Sequence, residues 1–330
     1  MSVLIQKSGL LSTIQDLGRK GFRQFGINPN GVMDSSAIRL INILLGNDET
    51  EAVLEMHFPA PEILFETDTI FTLGGANFSA KLDDVPIENW RSFFAQRGSV
   101  LKFEQKIFGN RTYLSVKGGF EIKKWLNSSS TNLLAEIGGF EGRNLQIGDR
   151  IEFNGKRKME NEKFKNQDSK SIQKLKFPYK ISNDLIPRYS SFPTVRIVAG
   201  AEFERLTAWS EQSFLKQDFT ISNESNRMGF RFCGEPLYLL DEIELVSSAV
   251  GFGTIQLLPD GQIIILMADH QTSGGYPRIA HVVSSDLPVV AQLGANDKVG
   301  FELISLQEAE NLLLEAEKDL NFLRIGCQFR

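Results

Sequence analysis

Cysteine is almost absent from this chain of 330 residues, which carries two, Cys233 and Cys327, far apart in sequence. That excludes a disulfide-stapled secreted scaffold and any close cysteine pair of the zinc or redox kind, and it points to a reducing compartment. Histidine is equally scarce: His57, His270 and His281 form no HExxH and no recognisable metal cluster with cysteine. No apolar run reaches the roughly 18 residues that a membrane helix needs. The first twenty residues also lack an apolar segment followed by a small-residue cleavage site. The expectation is a soluble cytoplasmic protein without a membrane partner. A basic excess is missing too. With 36 Lys plus Arg against 41 Asp plus Glu, the formal charge is -5, so no global positive field exists to hold a nucleic acid. Absence of GxxxxGK[ST] and GxSxG argues against a P-loop ATPase and a nucleophile-elbow hydrolase.

What is present is the composition of a folded protein, 42% hydrophobic and 23% charged, in a chain long enough for one large core or two ordinary ones. Short alternating segments dominate. Ile63 to Glu66 and Thr69 to Leu73 are strand candidates, the second closed by Gly74-Gly75; Thr112 to Val116 is another, closed by Gly118-Gly119. Twenty-five phenylalanines supply aromatic filler for such sheets. Period 2 is shared by barrels and sandwiches and does not separate them. Two helices interrupt the pattern. Asp34 is placed to cap SSAIRLINILLG, whose apolar stripe ends at Gly46, and Ser305 with Glu308 forms a capping box ahead of EAENLLLEAEKDL.

From Lys156 to Arg188 the chain holds ten Lys or Arg against four Asp or Glu and few apolar residues, the mark of a solvated connector. The expected organisation is an N-terminal β module over 1–155, a basic linker or surface loop over 156–190, and a C-terminal β module with a terminal helix over 191–330.

The richest polar cluster is Met267-Ala-Asp-His-Gln-Thr-Ser-Gly-Gly-Tyr-Pro-Arg278, directly after the buried-looking strand Ile263 to Leu266. Loops held by a rigid strand often form sites. Here His270 has a proton-transfer group near neutral pH, and Asp269 can orient it or bind a cation. The amides of Gly274 and Gly275 can approach a carboxylate or oxyanion. A tight polar turn satisfying itself accounts for the same residues equally well. Arg227 and Arg231 flank Met228-Gly229-Phe230 and could clamp a carboxylate or phosphate; solvated arginines are the plainer alternative. The N-terminal loop adds Thr13, Gln15, Asp16, Arg19, Asn28, Asn30 and Asp34, the last a simple helix cap in its plainer reading.

Six ordered stretches carry a resemblance: Ser12 to Arg19, Gly31 to Asp34, Gly46-Asn47, Gly139 to Arg143, Ser225 to Gly229 and Ala268 to Pro277. Together they resemble the family of the 5-oxoprolinase C subunit, also called KipA or biotin-dependent carboxyltransferase-like proteins, and the allophanate hydrolase subunit 2 domain. The resemblance spans about residues 3 to 310. It implies a mainly β fold of two cyclophilin-like β-barrel modules with a few short helices. It also implies work beside B and A subunits of a 5-oxoprolinase, opening the 5-oxo-L-proline lactam to L-glutamate while ATP becomes ADP and phosphate. ATP with Mg2+ would belong to the assembled complex, with no cofactor intrinsic to this chain and no activity of the chain alone.

By the same resemblance, His270, Asp269 and Tyr276 are the catalytic candidates, while Gln15, Arg19, Arg231, Gln271 and Thr272 would contact substrate or nucleotide. Asp34, Gly274 and Gly275 would shape the cleft loops, and no metal ligands are implied. Two stretches depart from the family pattern. Leu126-Asn127-Ser128-Ser129-Ser130-Thr131 stands where relatives have an LGSRST-like run, so a glycine and a fixed positive charge are replaced; Ala199-Gly200-Ala201 stands where a PGP-like turn is usual. Two other roles fit the resemblance: a carboxyltransferase component of a urea-carboxylase-like system served by a biotinylated carrier on another chain, and a non-catalytic kinase-regulatory partner.

Overall fold

The structure is a computed structural model that describes residues 1–154, 176–241 and 245–328. Most of the basic segment expected as a linker falls on residues 155–175, outside the described residues. Its end, Lys176–Lys180, is a strand paired antiparallel with Arg91–Ala95. The chain divides into two compact units. One comprises Met1–Gly18, Ser35–Pro187 and Asp319–Arg330; the other comprises Arg19–Asp34 and Arg188–Lys318.

In the first unit two six-stranded sheets enclose one core. The first runs in the order Arg150–Glu152, Ser2–Lys7, Glu62–Phe65, Val100–Phe103, Ala80–Leu82, Val85–Pro86. The second runs Lys176–Lys180, Arg91–Ala95, Thr69–Asn77, Phe108–Val116, Val53–Met56, Ser12–Gln15. Period-2 alternation turns Val3, Ile5, Ile63 and Phe65 of the first sheet onto Phe71, Leu73, Phe93 and Leu114 of the second, all buried in one cluster. Phe65 and Phe71 pack with ring centroids 5.0 Å apart, and Phe71 and Phe93 at 6.1 Å. Helix α1 (Ser35–Leu45) covers the other face of the second sheet. It ends at Gly46, whose φ of 72° is the left-handed stop that its sequence suggests.

Two barrel modules are the expectation, and this unit corrects it: both of its sheets stay open. Their edges are closed off by other means. One ends in the two-residue strand Val85–Pro86, whose proline cannot donate to a further strand. The other ends in Ser12–Gln15, whose free edge is taken by loop backbone, Thr131 N donating to Ile14 O at 3.0 Å and Leu145 N to Ser12 O at 2.9 Å. Alternation along a strand is the same in either architecture, so the periodic pattern carried no information on closure.

The second unit does form a closed barrel, of seven strands in the order Thr194–Ala199, Arg278–Val282, Thr254–Leu257, Ile263–Leu266, Gly229–Cys233, Phe219–Ile221, Lys298–Leu303. The last returns to the first as a parallel pair, Val195 opposite Phe301. Ile197, Phe230, Phe232, Ile255 and Ile265 fill the interior. Helix α2 (Ala208–Lys216) seats Phe214 against Phe219 and Phe301, with centroids 5.9 and 5.0 Å away. The short α3 (Leu287–Ala291) and the long α4 (Leu306–Gln328) follow. The capping box of α4 is formed, Ser305 N donating to Glu308 Oε2 at 2.9 Å and Glu308 N to Ser305 Oγ at 3.2 Å. No helix among the described residues is long and apolar enough to cross a membrane.

The seat of α1 depends on the bare backbone of Gly74, where an added Cβ would lie 2.7 Å from Ile41 Cγ2 and 2.9 Å from the Trp90 ring. Gly74→Ala is therefore expected to overpack this contact and cost about 1–3 kcal/mol, read as a lowered urea midpoint with an unchanged slope. An unshifted midpoint would show that the helix is not held there.

Candidate functional site

The polar cluster of the sequence forms the loop that leaves strand Ile263–Leu266 and returns as strand Arg278–Val282. Its centre is a largely buried ion pair. Arg227 Nε donates to Asp269 Oδ2 at 2.9 Å and Arg227 Nη2 to Asp269 Oδ1 at 3.1 Å, a two-bond clamp between side chains 8% and 14% exposed. Asn30 Nδ2 adds a third bond to Asp269 Oδ1 at 2.8 Å, and Asn30 Oδ1 accepts from Arg19 Nη1 at 2.8 Å. Asn30 sits at φ 53°, the left-handed region that asparagine tolerates better than most residues. Asn28 Nδ2 donates to the carbonyls of Asp269 at 3.0 Å and His270 at 2.8 Å. Asp269 and Arg19 are thus committed to internal partners, and the carboxylate anchors the loop.

His270 lies inside this frame, 2% exposed. Its Nδ1 is 2.5 Å from Gln271 O. A carbonyl can only accept, so Nδ1 carries the proton and Nε2 keeps the lone pair in the neutral ring. Burial pushes its pKa below the ordinary 6.5; the bond to Gln271 and the Asp269 charge act against that, while Arg23 reinforces it. Neutral imidazole is therefore the resting form near pH 7, with a basic nitrogen available. His281 is separate: its Nδ1 pairs with Thr254 Oγ1 at 3.2 Å, and burial followed by Arg278 lowers its pKa as well.

The rest of the loop is less deeply covered. Gln271 and Thr272 are half-buried, and Thr272 O accepts from Val250 N at 3.3 Å. Gly274 pairs with Ser248 in a two-stranded ribbon. Tyr276 is 45% exposed and, with Gly275, Tyr238 and Leu257, lines an open groove of ≈ 990 Å³. Behind it Arg278 is held by Glu202 through Nε at 3.1 Å and Nη2 at 2.8 Å. Burial raises the Glu202 pKa, but the side-chain and backbone bonds from Arg278 outweigh it and leave the carboxyl below its ordinary value.

Other candidates lie elsewhere. Arg231 alternates with buried Phe230 and Phe232 and projects from the barrel exterior, 3.9 Å from Glu224. Asp34 is buried and accepts from Tyr189 Oη at 2.7 Å and Gln292 Nε2 at 3.0 Å, a structural anchor of the second unit. Gln15, in the first unit, is buried, its Nε2 donating to Thr13 Oγ1 at 3.1 Å and Thr131 O at 3.2 Å. Beside it Asp16 accepts from Ser128 Oγ, Ser130 Oγ and Ser129 N at 2.7, 2.5 and 2.6 Å. The departure at Asn127 preserves the turn, because Asn127 takes φ 62° where glycine is usual. The departure at Gly200 keeps the one residue that matters, since a Cβ there would lie 2.1 Å from Arg278 O.

Arg227 and Asn30 are legible as candidates in the sequence while their shared partner is not, and Arg23, Glu202 and Gln256 stand in no motif there. The one visible signal for the last is a lone glutamine inside the apolar run Ile255-Gln256-Leu257-Leu258. Among the described residues no group of three or more His, Cys, Asp or Glu is arranged to hold a metal ion.

Because the folded pKa of His270 lies below 6.5, the unfolded chain takes up a proton that the folded one resists. Stability is then complete above about pH 6.5 and falls as pH drops below it, by up to ~1.4 kcal/mol per pH unit for one histidine. His281 contributes with the same sign. His270→Gln is expected to flatten the loss seen in urea titrations between about pH 7 and 5.5 relative to the wild type. Parallel curves would mean that His270 is not held neutral.

The chain is similar to known proteins along most of its length. Residues 25–303 match the carboxyltransferase domain, subdomain A and B. The 5-oxoprolinase C subunit of Haemophilus influenzae is 37% identical over 313 residues, which cover 95% of this chain and 94% of that protein. The Escherichia coli protein of the same name is 35% identical over 316 residues, covering 96% and 94%. The crystal structure of K. lactis urea amidolyase superposes with a TM-score of 0.87 at 25% identity, covering 98% of this chain and 20% of that one. The chain belongs to the carboxyltransferase domain, subdomain A and B, family, in company with the C subunit of 5-oxoprolinase.

Proposed function

We propose that this protein is the C subunit of an ATP-dependent 5-oxoprolinase, acting with the A and B subunits to convert 5-oxo-L-proline to L-glutamate with ADP and phosphate. The observation that carries the reading is similarity along nearly the whole length of the Haemophilus influenzae 5-oxoprolinase C subunit, 94% of that protein at 37% identity. The urea amidolyase likeness is close in fold, with a TM-score of 0.87, yet the chain matches only 20% of that much longer protein.

His270 is the proton carrier in this reading. Held neutral by burial and fixed by Asn28 and Gln271, it offers Nε2 to take a proton from an attacking water or return one to the leaving lactam nitrogen. Gln271, Thr272 and Tyr276, on the same loop, are assigned the polar and aromatic contacts that orient a small amide. Asp269, through Arg227 and Asn30, keeps the loop in place. Arg19 contributes at a distance from the reacting bond by holding Asn30.

The loop residues do not fit a nucleotide site: Arg227 and Arg278 are each spent on a carboxylate, Arg23 donates to Val250 O, and among the described residues no group of three or more His, Cys, Asp or Glu is arranged to hold a metal ion. ATP is assigned to the assembled complex.

Co-expression with the A and B subunits, followed by measurement of glutamate from 5-oxoproline, tests the reading. Glutamate formation is expected to require ATP and to vanish when this chain is omitted. His270→Ala should lower turnover at least about tenfold while the complex stays assembled. Turnover that ignores the loss of this chain would move the assignment to carboxyl transfer.

A further inference from the structure

Gln256 stands on strand Thr254–Leu257, paired on one side with the strand that leads into the candidate loop and on the other with the strand that leads out of it. Its neighbours Ile255 and Leu257 point into the barrel core. By alternation Gln256 faces outward, yet it is fully buried. The loop itself is what covers it. Nε2 donates to Tyr276 O at 3.3 Å, and a Cβ added to Gly274 would lie 2.9 Å from that nitrogen and 3.5 Å from Gln271 Nε2. Its Oε1 is buried and accepts no hydrogen bond from the described residues. The Tyr276 carbonyl requires a donor, so the amide cannot turn over to serve Oε1.

A side chain kept for packing alone would be apolar, since a buried acceptor without a partner carries a desolvation cost that methionine or leucine avoids. The glutamine retains that cost together with a single useful bond. We infer that Gln256 is a positioning residue: through Tyr276 O and the bare Gly274 it sets the backbone of the 274–277 segment, and with it the place of the Tyr276 phenol beside the groove. The inference rests on the reading above that this loop contacts the substrate.

Two variants separate positioning from packing. Gln256→Met keeps the length and removes both polar atoms, while Gln256→Glu keeps the shape and has no donor until it is protonated. In complex with the A and B subunits, Gln256→Met is expected to unfold at or above the wild-type temperature. Amide exchange in the 271–278 segment should be at least about tenfold faster, and KM for 5-oxoproline should rise at least about threefold with a smaller change in kcat. Gln256→Glu should show the same loosened segment at about pH 8 and regain protection as pH falls, once its carboxyl can donate to Tyr276 O, after correction for intrinsic exchange rates. Unchanged exchange in both variants overturns the inference, as does faster exchange with unchanged KM in an active complex. If the wild-type complex makes no glutamate while exchange responds as described, the substrate reading fails and the positioning role stands.

Discussion

Asp269 and Arg227 are opposite charges taken out of water, and neither is stable there without the other. Their two-bond clamp, joined by Asn30, ties three chain segments of the second unit together: the 28–31 loop, the entry to strand Gly229–Cys233, and the loop that begins at Met267. Everything proposed for His270 depends on this arrangement. The imidazole is neutral because it is buried, and it is buried because the clamp and Asn28 hold the loop against the 28–31 segment. The charge that organises the site is therefore not the group that moves a proton, although the two are adjacent in sequence.

The loop has a graded character. At its start the Asp269 and His270 backbones are pinned by Asn28, Met267 O and Arg227 O. At its end Arg278 is locked to Glu202 by backbone and side chain. Between these anchors Gln271 to Tyr276 are partly exposed and lie over the barrel wall with Gln256 beneath. Rigid ends with a lightly covered centre suit a segment that presents side chains to a small molecule.

Much of this was legible in the sequence, for reasons that can be assigned. Helix α1 and its Gly46 stop, the α4 capping box and strand Ile263–Leu266 follow from periodicity and local capping chemistry, which act over a few residues. The 267–278 loop was found because polar groups crowd at the end of an apolar strand. Barrel closure was not legible: whether an edge strand meets another strand or a loop is decided by residues far away in sequence, as Thr131 and Leu145 decide it for Ser12–Gln15. The pairing of Asp269 with Arg227 was hidden for the same reason. A carboxylate next to a histidine reads as its partner until a distant arginine is seen to hold it. Gln256 was hidden by its setting, since one amide in an apolar strand looks like a surface position until the covering loop is in place.

The Arg227–Asp269 pair acts as one unit holding the His270 loop. A double-mutant cycle in urea measures it most directly, with Arg227→Met, Asp269→Ala and the two combined. Each single change strands a buried charge or its partners and is predicted to cost about 3–5 kcal/mol, while the double change costs less than their sum by at least about 2 kcal/mol. Additive losses would overturn this, because two residues that destabilise independently do not form the clamp on which the site is built.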